Sequence, residues 1–219
     1  MTATPDAILH LQDLGFAYPG QPPLATRWTA SIAAGVTLLH GDTGSGKSTL
    51  LRILAGTQPA TGRLSIANVR LDASPEAYCR KVFFIEPDTD AFDKQKTARE
   101  CTASLRADDP HFDASRWQSL VDGFALAPHI DKPMYMLSTG SRRKTWLAAA
   151  LASGRPLTLL DEPTGALDAA SIRCLWRTLG ELSREPRRAF VIASGERIAG
   201  VALAATIDLP LQAAGASIA

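Results

Sequence analysis

The sequence predicts an α/β fold: a parallel-sheet core, a β-rich N-terminal region and an inserted helical stretch. Three observations predict it. Residues 41–49 read Gly-Asp-Thr-Gly-Ser-Gly-Lys-Ser-Thr and satisfy the P-loop pattern G-x-x-x-x-G-K-[ST]. From residue 142 onward, short apolar runs alternate with helix-patterned segments, the arrangement that builds parallel sheets. Between residues 97 and 136, helix-favouring stretches replace the strands, broken by Asp108-Asp109-Pro110, Ala127-Pro128 and Lys132-Pro133.

The elements follow in chain order. Residues 8–18 read as strand, turn, strand, and Pro19-Gly20 with Pro22-Pro23 mark a loop. Residues 28–32 are a strand, and Ala33-Ala34-Gly35 is the turn before the apolar strand 36–40. Residues 48–55 form a helix closed by Gly56. Residues 62–71 add strand material with a turn at Ala67-Asn68, and residues 75–80 suit a short helix opened at Ser74. Residues 82–85 are a compact apolar strand. Residues 142–152 form a helix, 157–161 a buried strand ending in an acid, and 170–182 an amphipathic helix. Residues 189–193 and 206–209 are late strands.

Bulk properties exclude several classes. The chain has 219 residues, enough for one domain with a substantial core. Its net charge of +1 gives no field that points to nucleic acid, so no nucleic-acid partner is expected. The three cysteines (Cys79, Cys101, Cys174) form no metal-type pair and suit a reducing compartment. No signal-peptide pattern stands at the N-terminus, and no stretch of about 18 uncharged apolar residues could span a bilayer.

The glycine loop names a ligand class. Gly41, Asp42, Thr43, Gly44, Ser45, Gly46, Lys47, Ser48 and Thr49 form a loop whose backbone N–H groups can converge on phosphate oxygens. Lys47 can reach the outer phosphates, and the Ser48 hydroxyl can hold Mg²⁺. Leu159-Leu160-Asp161-Glu162 ends an apolar strand: Asp161 suits Mg²⁺ and Glu162 a place beside the γ-phosphate, whereas alone the pair could equally be a solvated acidic turn. Leu137-Ser138-Thr139-Gly140-Ser141 precedes a helix and reads either as a second anion site or as a plain N-cap.

These three elements, in this order and spacing, together with Gly165-Ala166-Leu167-Asp168, resemble the ATP-binding cassette (ABC) ATPases over residues 8–209. The resemblance implies a P-loop NTPase core with a parallel sheet, an N-terminal antiparallel β region and a helical sub-domain. It implies one domain over residues 1–219, with about 1–90 and 154–219 in the core and β region and about 91–153 in the helical part. It implies ATP and Mg²⁺ as ligands, Tyr18 as the aromatic that stacks on adenine, Lys47 on the β- and γ-phosphates, and Ser48 and Asp161 on the metal. Glu162 matches the carboxylate that polarises the attacking water. Ser138 and Gly140 match the groups that contact ATP bound to a second cassette, and Ala166-Leu167-Asp168 the loop that crosses the dimer interface. The implied partners are a transmembrane permease subunit, docked on the helical sub-domain and the region after Glu86, and a second cassette in a homodimer or heterodimer. The implied location is the cytoplasmic face of the inner or plasma membrane.

Four departures from the family pattern stand out. Glu86 occupies the place of the usual Gln, where a carboxylate can still ligate Mg²⁺; an alignment slipped by one residue would make it a loop acid. Gly195, in Phe190-Val-Ile-Ala-Ser-Gly-Glu196, occupies the place of the usual His, and none of the four histidines lies near it in sequence. Thr139 and Ser141 replace a Gly and a Gln of the signature, and Gly165 replaces a Ser. Losing one γ-phosphate or water-orienting group costs about 2.7–4 kcal/mol, on the order of a hundred- to a thousandfold in rate. Two functions are therefore expected to compete: an ATPase subunit that powers a transporter, and a slow ATP-dependent binding switch. A small-molecule kinase would leave the 137–141 element unexplained.

Overall fold

The computed structural model of the chain describes residues 7–86 and 93–211. The β-rich region is a four-stranded antiparallel sheet of order β2-β1-β4-β5, made from β1 (Ala7–Phe16), β2 (Ala25–Ala33), β4 (Thr61–Ile66) and β5 (Val69–Arg70). The core is a five-stranded sheet of order β6-β7-β8-β3-β9, made from β3 (Gly35–His40), β6 (Val82–Phe84), β7 (Leu157–Asp161), β8 (Ala189–Ser194) and β9 (Leu203–Asp208). Every pairing in this second sheet is parallel.

Why this sheet is parallel and central can be read from its side chains. β8 is buried along its whole length, and only the last residue of β3 and of β7 is less than buried. Strands covered on both faces read as continuous apolar runs. Alternate residues then serve two cores: Val36, Leu160, Phe190 and Ile192 pack on one face, and Leu39, Leu159, Val191 and Ala193 on the other. The first face is covered by α4 (Ala114–Gly123), α5 (Thr139–Ala152), α6 (Ala169–Leu182) and part of α3 (Ala98–Ala107). The second is covered by α1 (Lys47–Ala55), the antiparallel sheet and Tyr78 of α2 (Pro75–Cys79).

The turn expected within residues 8–18 does not form. β1 is one strand, and register shifts against both neighbours absorb the irregularity around Asp13, whose φ is 50°. A bulge of this kind bends and twists a strand without ending it. The helix expected from residue 142 begins at Thr139, because the Ser138 hydroxyl accepts a hydrogen bond from the Ser141 N–H and caps it there. The last strand begins at Leu203, before the expected 206. A short 3₁₀ turn, Met134–Met136, leads into the Ser138 cap. The permease-docking region expected after Glu86 falls largely on residues 87–92, outside the described residues. Among the described residues, no helix is long and apolar enough to cross a membrane.

Candidate functional site

Parallel register brings the sequence-predicted residues together. His40 pairs with Ser194, and Asp161 pairs with Ala193, so β3, β8 and β7 end side by side. The segments that follow them, Gly41–Thr49, Gly195 and Glu162, therefore share one edge. In open α/β sheets this carboxyl-terminal edge is where ligands bind.

The phosphate loop folds as its glycines require. Gly46, the N-cap of α1, has φ 97°, a left-handed conformation that costs glycine little. No side chain caps the helix, so its first N–H groups face the loop cavity. Asp42, Thr43 and Gly44 are exposed, Ser45 and Ser48 half-buried, and Lys47 and Thr49 buried. Lys47 Nζ donates to the Gly41 carbonyl at 2.7 Å and the Asp42 carbonyl at 3.1 Å. It also lies 3.4 Å from Glu162 Oε1. The ammonium thus rests on carbonyls at the mouth of the cradle.

Asp161 and Glu162 diverge at the end of β7. Asp161 is half-buried, and burial pushes its carboxyl above the ordinary aspartate range. A hydrogen bond from Ser48 opposes this, Glu162 adds to it, and Lys47 and Arg52 lower it. Asp161 Oδ1 is buried and accepts no hydrogen bond. An orphaned carboxylate oxygen beside a hydroxyl is the donor set a hard divalent cation takes, so the residues fit Mg²⁺. Glu162 turns away, with φ 41°, its N–H on the Ala193 carbonyl at 3.0 Å. Its Oε1 accepts the Gly195 N–H at 3.0 Å.

Tyr18 stands over the same edge, 40% exposed, with its ring edge-on to Phe16 and its hydroxyl 2.9 Å from Thr49 Oγ1. Its hydroxyl is thus tethered to α1. Glu86 lies elsewhere in the electrostatics: Arg52 donates to both its oxygens, at 2.7 and 3.0 Å. This bidentate pair raises the arginine's pKa further. Arg52 sits on α1 five residues after Lys47, and no local sequence pattern signals a partner 34 residues away.

Ser138 and Gly140 form a second place. The Ser138 hydroxyl caps α5, and Gly140 sits against the loop after β7: a Cβ there would stand 2.7 Å from the Ala166 carbonyl. Arg143 donates to the Gly165 carbonyl at 3.0 Å, and Lys144 to Asp168 at 2.6 Å. Asp168 caps α6, and the Lys144 ammonium, with the Ser171 N–H and hydroxyl, holds its carboxyl far below the usual range. The signature turn and the 163–168 loop thus form one unit. No local sequence pattern marks what Arg143 and Lys144 hold; the fold shows it.

The family model described as "ABC transporter" matches residues 29–165. The cytochrome c biogenesis ATP-binding export protein CcmA of Paramagnetospirillum magneticum is 40% identical over 181 residues, covering 80% of this chain and 82% of that protein. The zinc import ATP-binding protein ZnuC of Halorhodospira halophila is 31% identical over 194 residues, covering 88% and 69%. Among solved structures, the ATP-binding subunit of an ABC transporter superposes with a TM-score of 0.75 at 23% identity, covering 85% of this chain and 79% of that one.

Proposed function

The chain belongs to the ABC transporter family, and from that premise we propose that it is an ATP-hydrolysing subunit that powers a membrane transporter. The observation that carries this reading is the convergence of Lys47, the unpartnered Asp161 oxygen and Glu162 at the ends of adjacent strands. Relatives named for export and for import bracket the direction of transport without choosing it.

In this reading the N–H groups of residues 41–49 cradle the phosphates, and Lys47 leaves its carbonyls for the β- and γ-phosphates. Tyr18 stacks on adenine. Ser48 and Asp161 hold Mg²⁺, with Glu86 able to join once Arg52 releases it. The metal, when bound, neutralises charge on the phosphate oxygens. Glu162 takes the proton of the attacking water. Ser138 and Gly140 complete the site of a second cassette, so that nucleotide closes a homodimer or heterodimer. A transmembrane permease receives that motion at the cytoplasmic face of the membrane.

The test is steady-state phosphate release by the purified protein and by Glu162→Gln. Wild-type turnover about a hundredfold or more above the variant is expected, the scale of one lost transition-state contact. A wild-type rate no faster than the variant overturns the ATPase reading and leaves the slow binding switch, which the lack of a side chain at Gly195 and the engaged Glu86 favour.

A further inference from the structure

We propose that the backbone amide at position 195, rather than a side chain, orients the Glu162 carboxylate for hydrolysis, an inference that rests on the ATPase reading above. Four observations converge on it. The Gly195 N–H donates to Glu162 Oε1 at 3.0 Å, and the same oxygen faces Lys47 Nζ at 3.4 Å. Glu162 is otherwise poorly constrained: its side chain is 46% exposed, and its Oε2 accepts no hydrogen bond among the described residues. Its backbone sits at φ 41°, a left-handed conformation that a non-glycine residue keeps only where surroundings enforce it. Finally, the turn that presents the Gly195 amide is itself fixed. Ser194 ends β8 in register with His40, and its hydroxyl accepts the Glu196 N–H at 3.0 Å.

Steric relief does not explain the glycine. A Cβ at 195 would meet nothing closer than the Gly41 carbonyl at 3.7 Å and Glu162 Oε1 at 4.0 Å, and its φ lies outside the left-handed region. A side chain fits there, yet the contact that holds Glu162 is made without one. With Oε1 held by the Gly195 N–H, Oε2 is the oxygen left to act once Lys47 has turned to the phosphates. It takes the proton that water loses as the water oxygen bonds to the γ-phosphorus and the bond to the departing diphosphate oxygen breaks. Gly195 is thus a positioning residue that acts through Glu162.

Two measurements test this. In the nucleotide-free protein, the Gly195 amide proton resonance should shift upfield and exchange faster in Glu162→Ala; an unchanged resonance overturns the proposal. In turnover, Gly195→Pro, which removes the N–H, should fall about tenfold or more below Gly195→Ala in kcat, while the two share a KM for MgATP within about twofold. Equal kcat values for the two variants overturn it as well. If Gly195→Pro fails to fold, the resonance measurement decides alone. A wild-type protein that releases no phosphate sinks the ATPase reading itself, whereas the resonance still reports whether the amide holds Glu162.

Discussion

Arg52 and Glu86 show how one carboxylate engages a cation across the site. A neutral amide at position 86 could not draw Arg52 into a charged fork; the carboxylate does, with side chains 38% and 29% exposed. At that exposure an ion pair is worth about 0.2–1 kcal/mol. In the proposed reading, where Glu86 joins the metal, Mg²⁺ competes with Arg52 for it, so Arg52→Ala should lower the Mg²⁺ concentration needed for half-maximal nucleotide binding by up to about fivefold, read by titration calorimetry. Asp168 makes a pH-dependent contribution of known sign. Its folded pKa is depressed by Lys144 and Ser171, so the stability it adds is present above the ordinary aspartate range and is lost as pH falls through its own lowered value. Urea melts should show Asp168→Asn less stable than wild type at pH 7, with the two curves converging only in strong acid.

At the scale of elements, helix caps set the boundaries. α3 opens on a capping box: the Thr97 hydroxyl accepts from the Glu100 N–H, and the Glu100 carboxylate accepts from the Thr97 N–H at 2.8 Å. Thr97→Ala should cost about 0.5–2 kcal/mol in a denaturant melt. One boundary that sequence reading missed has the same origin. Ser138 was legible either as a cap or as an anion site, and its capping of α5 moves that helix start back to Thr139. Asp13 gave no turn because a bulge between two partner strands tolerates its left-handed backbone, and pairing on both sides was invisible to a local pattern. The strands around the phosphate loop were legible because burial on both faces writes an unbroken apolar run. What local patterns could not show were contacts between distant segments: Arg52 on Glu86, Arg143 on the 165 carbonyl, and the Gly195 amide on Glu162. Each joins residues at least 22 positions apart through groups that no periodicity marks.

At the scale of the molecule, the parallel sheet is the layer both cores share among the described residues. Neighbouring residues of β8 serve opposite sides: Ile192 packs with α4, α5 and α6, and Val191 with α1 and the antiparallel sheet. Nothing can loosen one core without moving strands that wall the other, so the two should melt together. Ile53 on α1 and Ile192 on β8 are both fully buried, one in each core. Ile53→Val and Ile192→Val should each cost about 0.5–1.5 kcal/mol. The double variant should cost their sum within about 0.5 kcal/mol, because the two side chains pack in different cores. Tryptophans report the two sides separately, since Trp28 packs on one core and Trp117, Trp146 and Trp176 on the other. With Trp28→Phe, or with the other three replaced, fluorescence should follow the same single urea transition as far-UV circular dichroism. Two midpoints, with Ile53→Val moving only the Trp28 signal, would show that the sheet does not couple the cores.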